Sequence, residues 1–200
     1  MKTDIKKIVL TGGPCAGKTS VVELLKQELA GQVLFAPEVA TMLLSGGFPL
    51  PGRDLAWSLD WQASFQQAVI TTQLSLEEVY EITAQQKGIK TIVFDRGLLD
   101  SAAYLPGRQK QLTSDFGLDC GLALKRYHQV IHLESLAVSA PGLYGQTGNE
   151  SRFESLEQAA NLDSAIKEAW TGHENHLLVT GSDLVKKQLV VAQAISKSLL

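Results

Sequence analysis

Short apolar runs alternate with longer amphipathic stretches along the whole chain. Apolar runs rich in β-branched residues predict five strands, at residues 6–11, 32–36, 91–94, 129–133 and 176–180. Apolar residues that recur every three or four positions predict helices, at residues 18–30, 54–87, 114–127, 154–170 and 182–199. Glycines and prolines at residues 43–53 predict a loop. The pattern leaves open whether 54–87 forms one helix or two, because Thr71 and Thr72 weaken its middle.

The alternation of strands with helices determines the expected fold class. A crossover between parallel strands needs a dozen or more residues, and each predicted helix supplies such a connection. We therefore expect an α/β fold in which a five-stranded parallel sheet is covered by helices on both faces, giving three layers. A chain of 200 residues fits one domain, spanning residues 1–200.

The composition is that of an ordinary globular protein, with 44% hydrophobic and 20% charged residues. The 18 basic and 21 acidic residues give a net charge of -3 without any basic run, which disfavours nucleic-acid binding. No apolar stretch approaches the roughly 18 residues of a membrane span. Cys15 and Cys120 are too few for a disulfide framework and are consistent with a reducing compartment. We therefore expect a cytoplasmic protein.

Residues 12–19 match the pattern G-x-x-x-x-G-K-[ST] in full, between the first predicted strand and the first predicted helix. Such a loop curls so that successive backbone N–H groups point at a polyphosphate, and the helix N-terminus adds its positive dipole. Lys18 is expected to reach the β- and γ-phosphates, and the Thr19 hydroxyl to bind Mg²⁺. The predicted nucleotide-binding residues of this phosphate loop are Gly12, Gly13, Pro14, Cys15, Ala16, Gly17, Lys18 and Thr19.

Three charged residues follow predicted strands at the sheet edge where open α/β folds bind ligands. Asp95 ends a strand as a Walker-B aspartate does and would hold Mg²⁺; a turn or helix-cap role is the alternative. Arg96 would pair with a phosphate, or else form a surface ion pair. Glu38 would orient or deprotonate a substrate hydroxyl, unless it is a solvated surface residue.

A glycine-rich stretch at residues 141–148 precedes Arg152. We expect residues 139–158 to form a lid, from which Arg152 would neutralise charge that develops on the transferred phosphoryl group. An arginine at the start of a helix without a catalytic role is the alternative. The spacing of Trp57, Trp61 and Phe65 favours a core role over a substrate-binding surface.

The chain resembles the P-loop kinase-like NTPases of the AAA-like ATP-binding domain family, which includes the nicotinamide riboside kinase domain of NadR-type regulators. The matching features lie in residues 12–20, 37–40, 95–104 and 149–159. The Asp-Arg-Gly sequence at 95–97 looks like the aspartate-arginine pair of nucleoside and nucleotide kinases. The resemblance implies a kinase-like P-loop fold, ATP or GTP with Mg²⁺, and phosphoryl transfer to a small hydroxylated acceptor.

The resemblance also implies roles for individual residues. Lys18 would stabilise the transferring phosphate, and Thr19 and Asp95 would serve the metal. Glu38 and Arg96 would face the acceptor. The same resemblance also assigns Arg152 to the lid and adds three residues to the site: Ser20 in the phosphate loop, and Thr180 and Gly181 against the nucleobase.

The expected function is that of an ATP-dependent kinase for a nucleoside-like or other small alcohol. A nucleotide-dependent switch or binding module is the alternative, although the chain has no Asn-Lys-x-Asp guanine signature. An ATPase that drives a partner is a third possibility, weakened by the short chain. The expected partner is the small-molecule acceptor, and a homodimer is left open.

Overall fold

The computed structural model describes residues 5–145 and 154–199. Within them five parallel strands form one sheet in the order β2-β3-β1-β4-β5. The strands are β1 (Lys6–Thr11), β2 (Val33–Ala36), β3 (Thr91–Asp95), β4 (Gln129–Leu133) and β5 (His176–Val179). The expected α/β fold with a five-stranded parallel sheet is thereby confirmed. β3 lies on one side of β1 and β4 on the other, so the chain changes direction across the sheet at β1, where such folds bind ligands.

Helices cover both faces of the sheet, as the alternating pattern predicts. The α-helices are α1 (Lys18–Glu28), α2 (Val39–Ser45), α3 (Leu59–Lys87), α4 (Arg108–Phe116), α5 (Cys120–Lys125), α6 (Leu136–Ser139), α7 (Leu156–Ala169) and α8 (Leu184–Lys197). Successive residues of β1 point to opposite faces. Ile8 and Leu10 are buried against α1 and α8, whereas Val9 is buried against α7 and its C-terminal Trp170. Each such burial contributes about 1.5–3 kcal/mol to folding.

The long helix α3 is continuous over 29 residues, which decides the question that the sequence left open. Its N-terminus is capped by the Ser58 hydroxyl, which accepts a hydrogen bond from the Trp61 N–H at 3.1 Å. It ends at Gly88, whose φ of 67° is accessible to glycine without strain. Thr71 and Thr72 lower helix propensity without removing a backbone donor, so the tertiary packing of α3 prevails. None of the helices in the described ranges is long and apolar enough to span a membrane.

Three stretches differ from the sequence-based prediction. The predicted loop at 43–53 begins inside α2, which ends only at Ser45, before Gly46 and Gly47. The predicted single helix at 114–127 is instead the end of α4 followed by α5. Gly117 adopts a φ of 66° and stops α4, and the Asp119 carboxylate then caps α5. A 3₁₀ helix at Leu98–Tyr104, after β3, has no counterpart in the predicted elements.

Candidate functional site

The phosphate loop connects β1 to α1 and needs glycine at two of its positions. Gly12 has a φ of 137°, and a Cβ there would lie 2.0 Å from the Leu133 carbonyl oxygen. Gly17 has a φ of 89° and is the N-cap of α1. Both conformations are strained for other residues, and Gly12 also has no room for a side chain. The glycines of the motif therefore give the loop its curl.

The carbonyl groups of the phosphate loop are hydrogen-bonded to the surrounding protein. Lys18 Nζ donates to the oxygens of Gly12 and Gly13, at 2.8 and 3.0 Å. Three further loop carbonyls accept hydrogen bonds, Pro14 from Ser135 Oγ, Cys15 from the Leu136 N–H and Ala16 from Lys187 Nζ. The N–H groups of residues 16–19 donate to no group in the described part of the chain. The loop thus presents open donors and no competing acceptors, which is the arrangement that binds an anion.

Lys18 lies at the centre of the site, with 8% of its surface exposed. Burial lowers the pKa of the Lys18 ammonium to about 8, and the positive charge of Arg96 acts in the same direction. The nearby carboxylates of Asp95 and Glu38 oppose this shift. A phosphate bound beside Lys18 would restore its preference for the charged form, so the amine is poised to interact strongly with an anion.

Asp95 and Thr19 are the predicted metal ligands, and both line the same cleft. Asp95 ends β3, and its Oδ1 is buried without a hydrogen-bond partner among the described residues. Burial raises the pKa of Asp95, although Lys18 acts in the opposite direction. A buried carboxylate oxygen with no partner and an exposed hydroxyl are hard ligands of the kind that Mg²⁺ uses beside substrate phosphates. These residues therefore fit a magnesium ion.

Glu38 and Arg96 form an ion pair across the cleft. Arg96 follows β3 with a φ of 70°, and its Nε donates to Glu38 Oε1 at 2.5 Å. Arg96 Nη1 donates to the Gly12 carbonyl oxygen at 3.3 Å. The second oxygen of Glu38 accepts a hydrogen bond from the Thr41 hydroxyl at 2.7 Å. Left-handed backbone is uncommon for arginine, and it aims this guanidinium at both Glu38 and the phosphate loop.

Glu38 is ionised in this arrangement. Burial raises the pKa of its carboxyl, but the charges of Arg96 and Lys18 outweigh burial and lower the pKa to about 2. A carboxylate with so low a pKa is a weak base and a strong hydrogen-bond acceptor. It is therefore better suited to orient a hydroxyl group than to remove its proton in the free protein.

Asp100 organises the same region from beneath, although the sequence did not single it out as a site residue. Its carboxylate accepts from Thr11 Oγ1, from Arg96 Nη1 at 3.2 Å, from the Gly97 N–H at 3.1 Å and from Trp170 Nε1 at 3.0 Å. Asp100 is 3% exposed, and its oxygens are fully engaged by these donors. It therefore positions Arg96, and it also lines the cleft.

The cleft that contains these groups has a volume of about 1100 Å³. Beyond Glu38 and Arg96 its wall includes Trp61 and Phe65, whose rings stack at 4.9 Å with an angle of 12°. Trp57 also lines the cleft and is 59% exposed, which differs from the core role that its spacing favoured. The phosphate loop, the Glu38–Arg96 pair and an aromatic wall thus share one cavity.

Three predicted site residues, those assigned to the lid and the nucleobase, are not among the described residues that line the cleft. Arg152 falls outside the described residues, as does the part of the predicted lid at 146–153. Thr180 and Gly181 follow β5 and are not among the described residues that line the cleft. The Gly181 N–H instead donates to Glu134 Oε2 at 3.3 Å. Their assignment to the lid and to the nucleobase remains a prediction.

Two buried charged residues contact the phosphate loop and were missed in the sequence. Asp163 on α7 accepts the Gly13 N–H at 2.8 Å, and Lys187 on α8 donates to the Ala16 oxygen at 3.2 Å. Each lies three or four positions from buried apolar residues, such as Ile166 on α7 and Val191 on α8. A charged residue on the apolar face of an amphipathic helix is the signal that could have identified both.

Comparisons with known proteins found one family model and solved structures that match this chain. A family model described as an AAA domain matches residues 7–186. No curated protein matches the chain significantly. Among solved structures, deoxyadenosine kinase from M. mycoides with bound dATP is similar over 95% of this chain and 99% of its own, at 15% identity and a TM-score of 0.48.

Proposed function

The chain belongs to the AAA domain family, and from that premise we propose that it is a phosphotransferase. It transfers the γ-phosphoryl group of ATP to a hydroxyl group of a small nucleoside-like or other metabolite. One observation carries this proposal: the open N–H groups of the phosphate loop and the Glu38–Arg96 pair lie in one cleft. A site for nucleotide binding alone would not require this charged pair in the same cleft as the phosphate loop.

The phosphate loop provides the donor half of the reaction. Its open N–H groups and the N-terminus of α1 bind the phosphates, and Lys18, which lines the same cleft, contacts the transferring group. Thr19 and Asp95 would hold Mg²⁺, which neutralises charge on the phosphate oxygens when it is bound. Phosphoryl transfer proceeds through a loose transition state, so positioning and charge neutralisation contribute most of the catalysis.

The acceptor half of the cleft is organised by Glu38. Its ionised carboxylate accepts a hydrogen bond from the acceptor hydroxyl and turns the hydroxyl oxygen toward the phosphoryl group. Arg96 holds Glu38 at 2.5 Å and adds positive charge beside the phosphate loop. A loose transition state needs little proton removal before the phosphorus–oxygen bond forms, which agrees with the low pKa of Glu38.

A screen for phosphorylated products tests the proposal. The protein is incubated with Mg²⁺, labelled ATP and a panel of hydroxylated metabolites, and products are identified by mass spectrometry. Lys18→Ala serves as the inactive control, because it removes the cation next to the phosphate loop. Phosphate on a metabolite supports a kinase. Release of inorganic phosphate alone favours the nucleotide-hydrolysing switch, and failure of the wild-type protein to bind Mg·ATP refutes both.

Two matched variants, Glu38→Gln and Thr41→Val, distinguish a role of Glu38 in orienting the acceptor from a role in ATP binding. Glu38→Gln removes the charge that orients the acceptor, so we expect kcat to fall about 10²-fold with little change in ATP affinity. Thr41→Val removes only the second hydrogen bond to Glu38 and should lower kcat about tenfold or less. An equal loss of ATP affinity and turnover in Glu38→Gln would argue against an acceptor-side role.

A further inference from the structure

A buried carboxylate lies beneath the phosphate loop and has no part in the proposed reaction. Asp163, near the middle of α7, is 3% exposed. Its Oδ1 accepts hydrogen bonds from the Gly13 N–H at 2.8 Å and the Ser135 N–H at 3.1 Å. The Nε2 of His132 lies 3.2 Å from the same oxygen, while its Nδ1 has no partner among the described residues. This pattern fits a neutral imidazole that carries its proton on Nε2 and donates it to Asp163.

A negative charge is an unexpected neighbour for a loop that binds anions. The Asp163 carboxylate repels a bound phosphate, and this repulsion is screened less inside the protein than in water. The packing is nevertheless close, because a Cβ on Gly13 would lie 2.7 Å from Asp163 Cβ. A glycine at this position and a carboxylate opposite it are matched in shape. The carboxylate must therefore provide a benefit that offsets the repulsion.

The geometry of one peptide group supplies that benefit. The N–H of Gly13 and the C=O of Gly12 belong to the same planar peptide and point in opposite directions. Asp163 accepts from its N–H end. At its C=O end, Lys18 Nζ donates at 2.8 Å and Arg96 Nη1 at 3.3 Å. The peptide is thus held between an anion on one side and two cations on the other, which strengthens each hydrogen bond.

We propose that Asp163 is a positioning residue for the phosphate loop. By holding the Gly13 N–H it fixes the plane of the 12–13 peptide and keeps the Gly12 oxygen aimed at Lys18 and Arg96. Without this anchor the peptide can rotate, and both cations lose a shared acceptor. The proposal rests on the proposed function only in taking this loop as the phosphate site, and it can be tested in the free protein.

The chain offers a selective spectroscopic test. It contains two Gly-Gly pairs, at 12–13 and 46–47. Labelling glycine with ¹³C at the carbonyl and ¹⁵N at the amide therefore isolates two amide signals, those of Gly13 and Gly47. Gly47 donates to the Leu44 oxygen at 3.3 Å, away from Asp163, and serves as the internal control. Hydrogen exchange of each amide proton then reports on its own hydrogen bond.

Three variants on α7 complete the experiment. Asp163→Ala removes the acceptor, and Asp163→Asn keeps an acceptor oxygen without its charge. Ile166→Val weakens the buried face of the same helix without touching the loop. We expect Gly13 exchange to accelerate about tenfold or more in Asp163→Ala and about threefold or less in Asp163→Asn and Ile166→Val. Unchanged Gly13 exchange in Asp163→Ala, or equal acceleration in Ile166→Val, overturns the proposal.

Asp163→Asn keeps the test decisive if Asp163→Ala does not fold. A neutral oxygen is a weaker acceptor than a carboxylate, so the Gly13 amide proton should resonate upfield of its wild-type position while Gly47 stays unchanged. An unshifted Gly13 signal in this variant contradicts the assignment of Asp163.

Titration with Mg·ATP links the anchor to function. We expect Asp163→Ala to bind Mg·ATP about ten- to a hundredfold more weakly than wild type, and Asp163→Asn to recover most of that loss. Equal affinities for Asp163→Ala and wild type would overturn a positioning role. If wild-type protein itself fails to bind Mg·ATP, the proposed function fails, while the Gly13 exchange data still decide whether Asp163 holds the peptide.

Discussion

Because of the ion pair between Glu38 and Arg96, we expect the stability of the free protein to decrease at acidic pH. Burial raises the pKa of Glu38, but Arg96 and Lys18 outweigh it and lower the pKa from its ordinary 4.5 to about 2. A carboxyl whose pKa is depressed by folding stabilises the protein above its unfolded pKa, and that stability is lost as the pH falls through the folded pKa. The relevant window therefore runs from about pH 5 down to about pH 2.

The expected magnitude follows from the same shift. Each pKa unit corresponds to about 1.4 kcal/mol, so the ionised pair contributes about 3 kcal/mol at neutral pH. The Glu38 side chain is 27% exposed, and solvent screening reduces this contribution to about 2–3 kcal/mol. At pH 3 the unfolded chain holds Glu38 largely protonated while the folded protein still holds it ionised, so more than half of the contribution is lost between pH 7 and pH 3.

Urea denaturation of wild type and Glu38→Gln at pH 7 and pH 3 measures this contribution. We expect the free energy of unfolding of wild type to fall by about 1–2 kcal/mol more than that of Glu38→Gln between the two pH values. Glu157→Gln, which changes an exposed carboxyl on α7, should behave like wild type. Parallel losses in wild type and Glu38→Gln would refute a strongly depressed pKa for Glu38.

Further predictions concern single sites. Gly12→Ala should destabilise the protein by at least about 3 kcal/mol in urea denaturation, because its Cβ would meet the Leu133 oxygen at 2.0 Å; a smaller loss would show that the loop relaxes. Asp95→Asn should stabilise the free protein by about 1 kcal/mol, since it removes a buried charge whose Oδ1 has no hydrogen-bond partner among the described residues, and should raise the Mg²⁺ concentration needed for ATP binding. A stability loss with an unchanged Mg²⁺ requirement would contradict a ligand role. Glu77→Ala should cost about 3–5 kcal/mol, because fully buried Glu77 pairs with Lys7 and with Arg126; a cost below about 1 kcal/mol would show that these cations find other partners.

The strands and the phosphate loop could be predicted because their signals are local. The β1 residues alternate between two apolar faces, and the glycines that follow permit backbone angles that other residues avoid. The break between α4 and α5 also has a local cause at Gly117, although the apolar pattern on either side of this glycine predicts one continuous helix. The 3₁₀ helix after β3 depends instead on a distant contact, since Tyr127 accepts the Leu98 N–H at 3.2 Å.

The candidate site likewise contains residues that the sequence identifies and contacts that only the tertiary structure shows. Lys18 was identified from the phosphate-loop motif, and Asp95, Arg96 and Glu38 from their places after predicted strands, because parallel strands bring their carboxyl ends to one edge of the sheet. Their pairing was not predictable, since Arg96 takes a left-handed backbone conformation to reach Glu38. The anchors of the loop were missed because periodicity shows which helix face is buried but not which group that face will meet.

The sequence by itself determined where a phosphate could bind, since the order of strand, glycine-rich turn and helix leaves the backbone donors of the loop few other conformations. The tertiary structure decided what holds that loop in place. Asp163 reaches Gly13 from 150 residues away, and Lys187 reaches Ala16 from 171 residues away. Such contacts depend on how α7 and α8 pack against the sheet, and packing is a property of the whole chain because every helix must bury its apolar face at the same time.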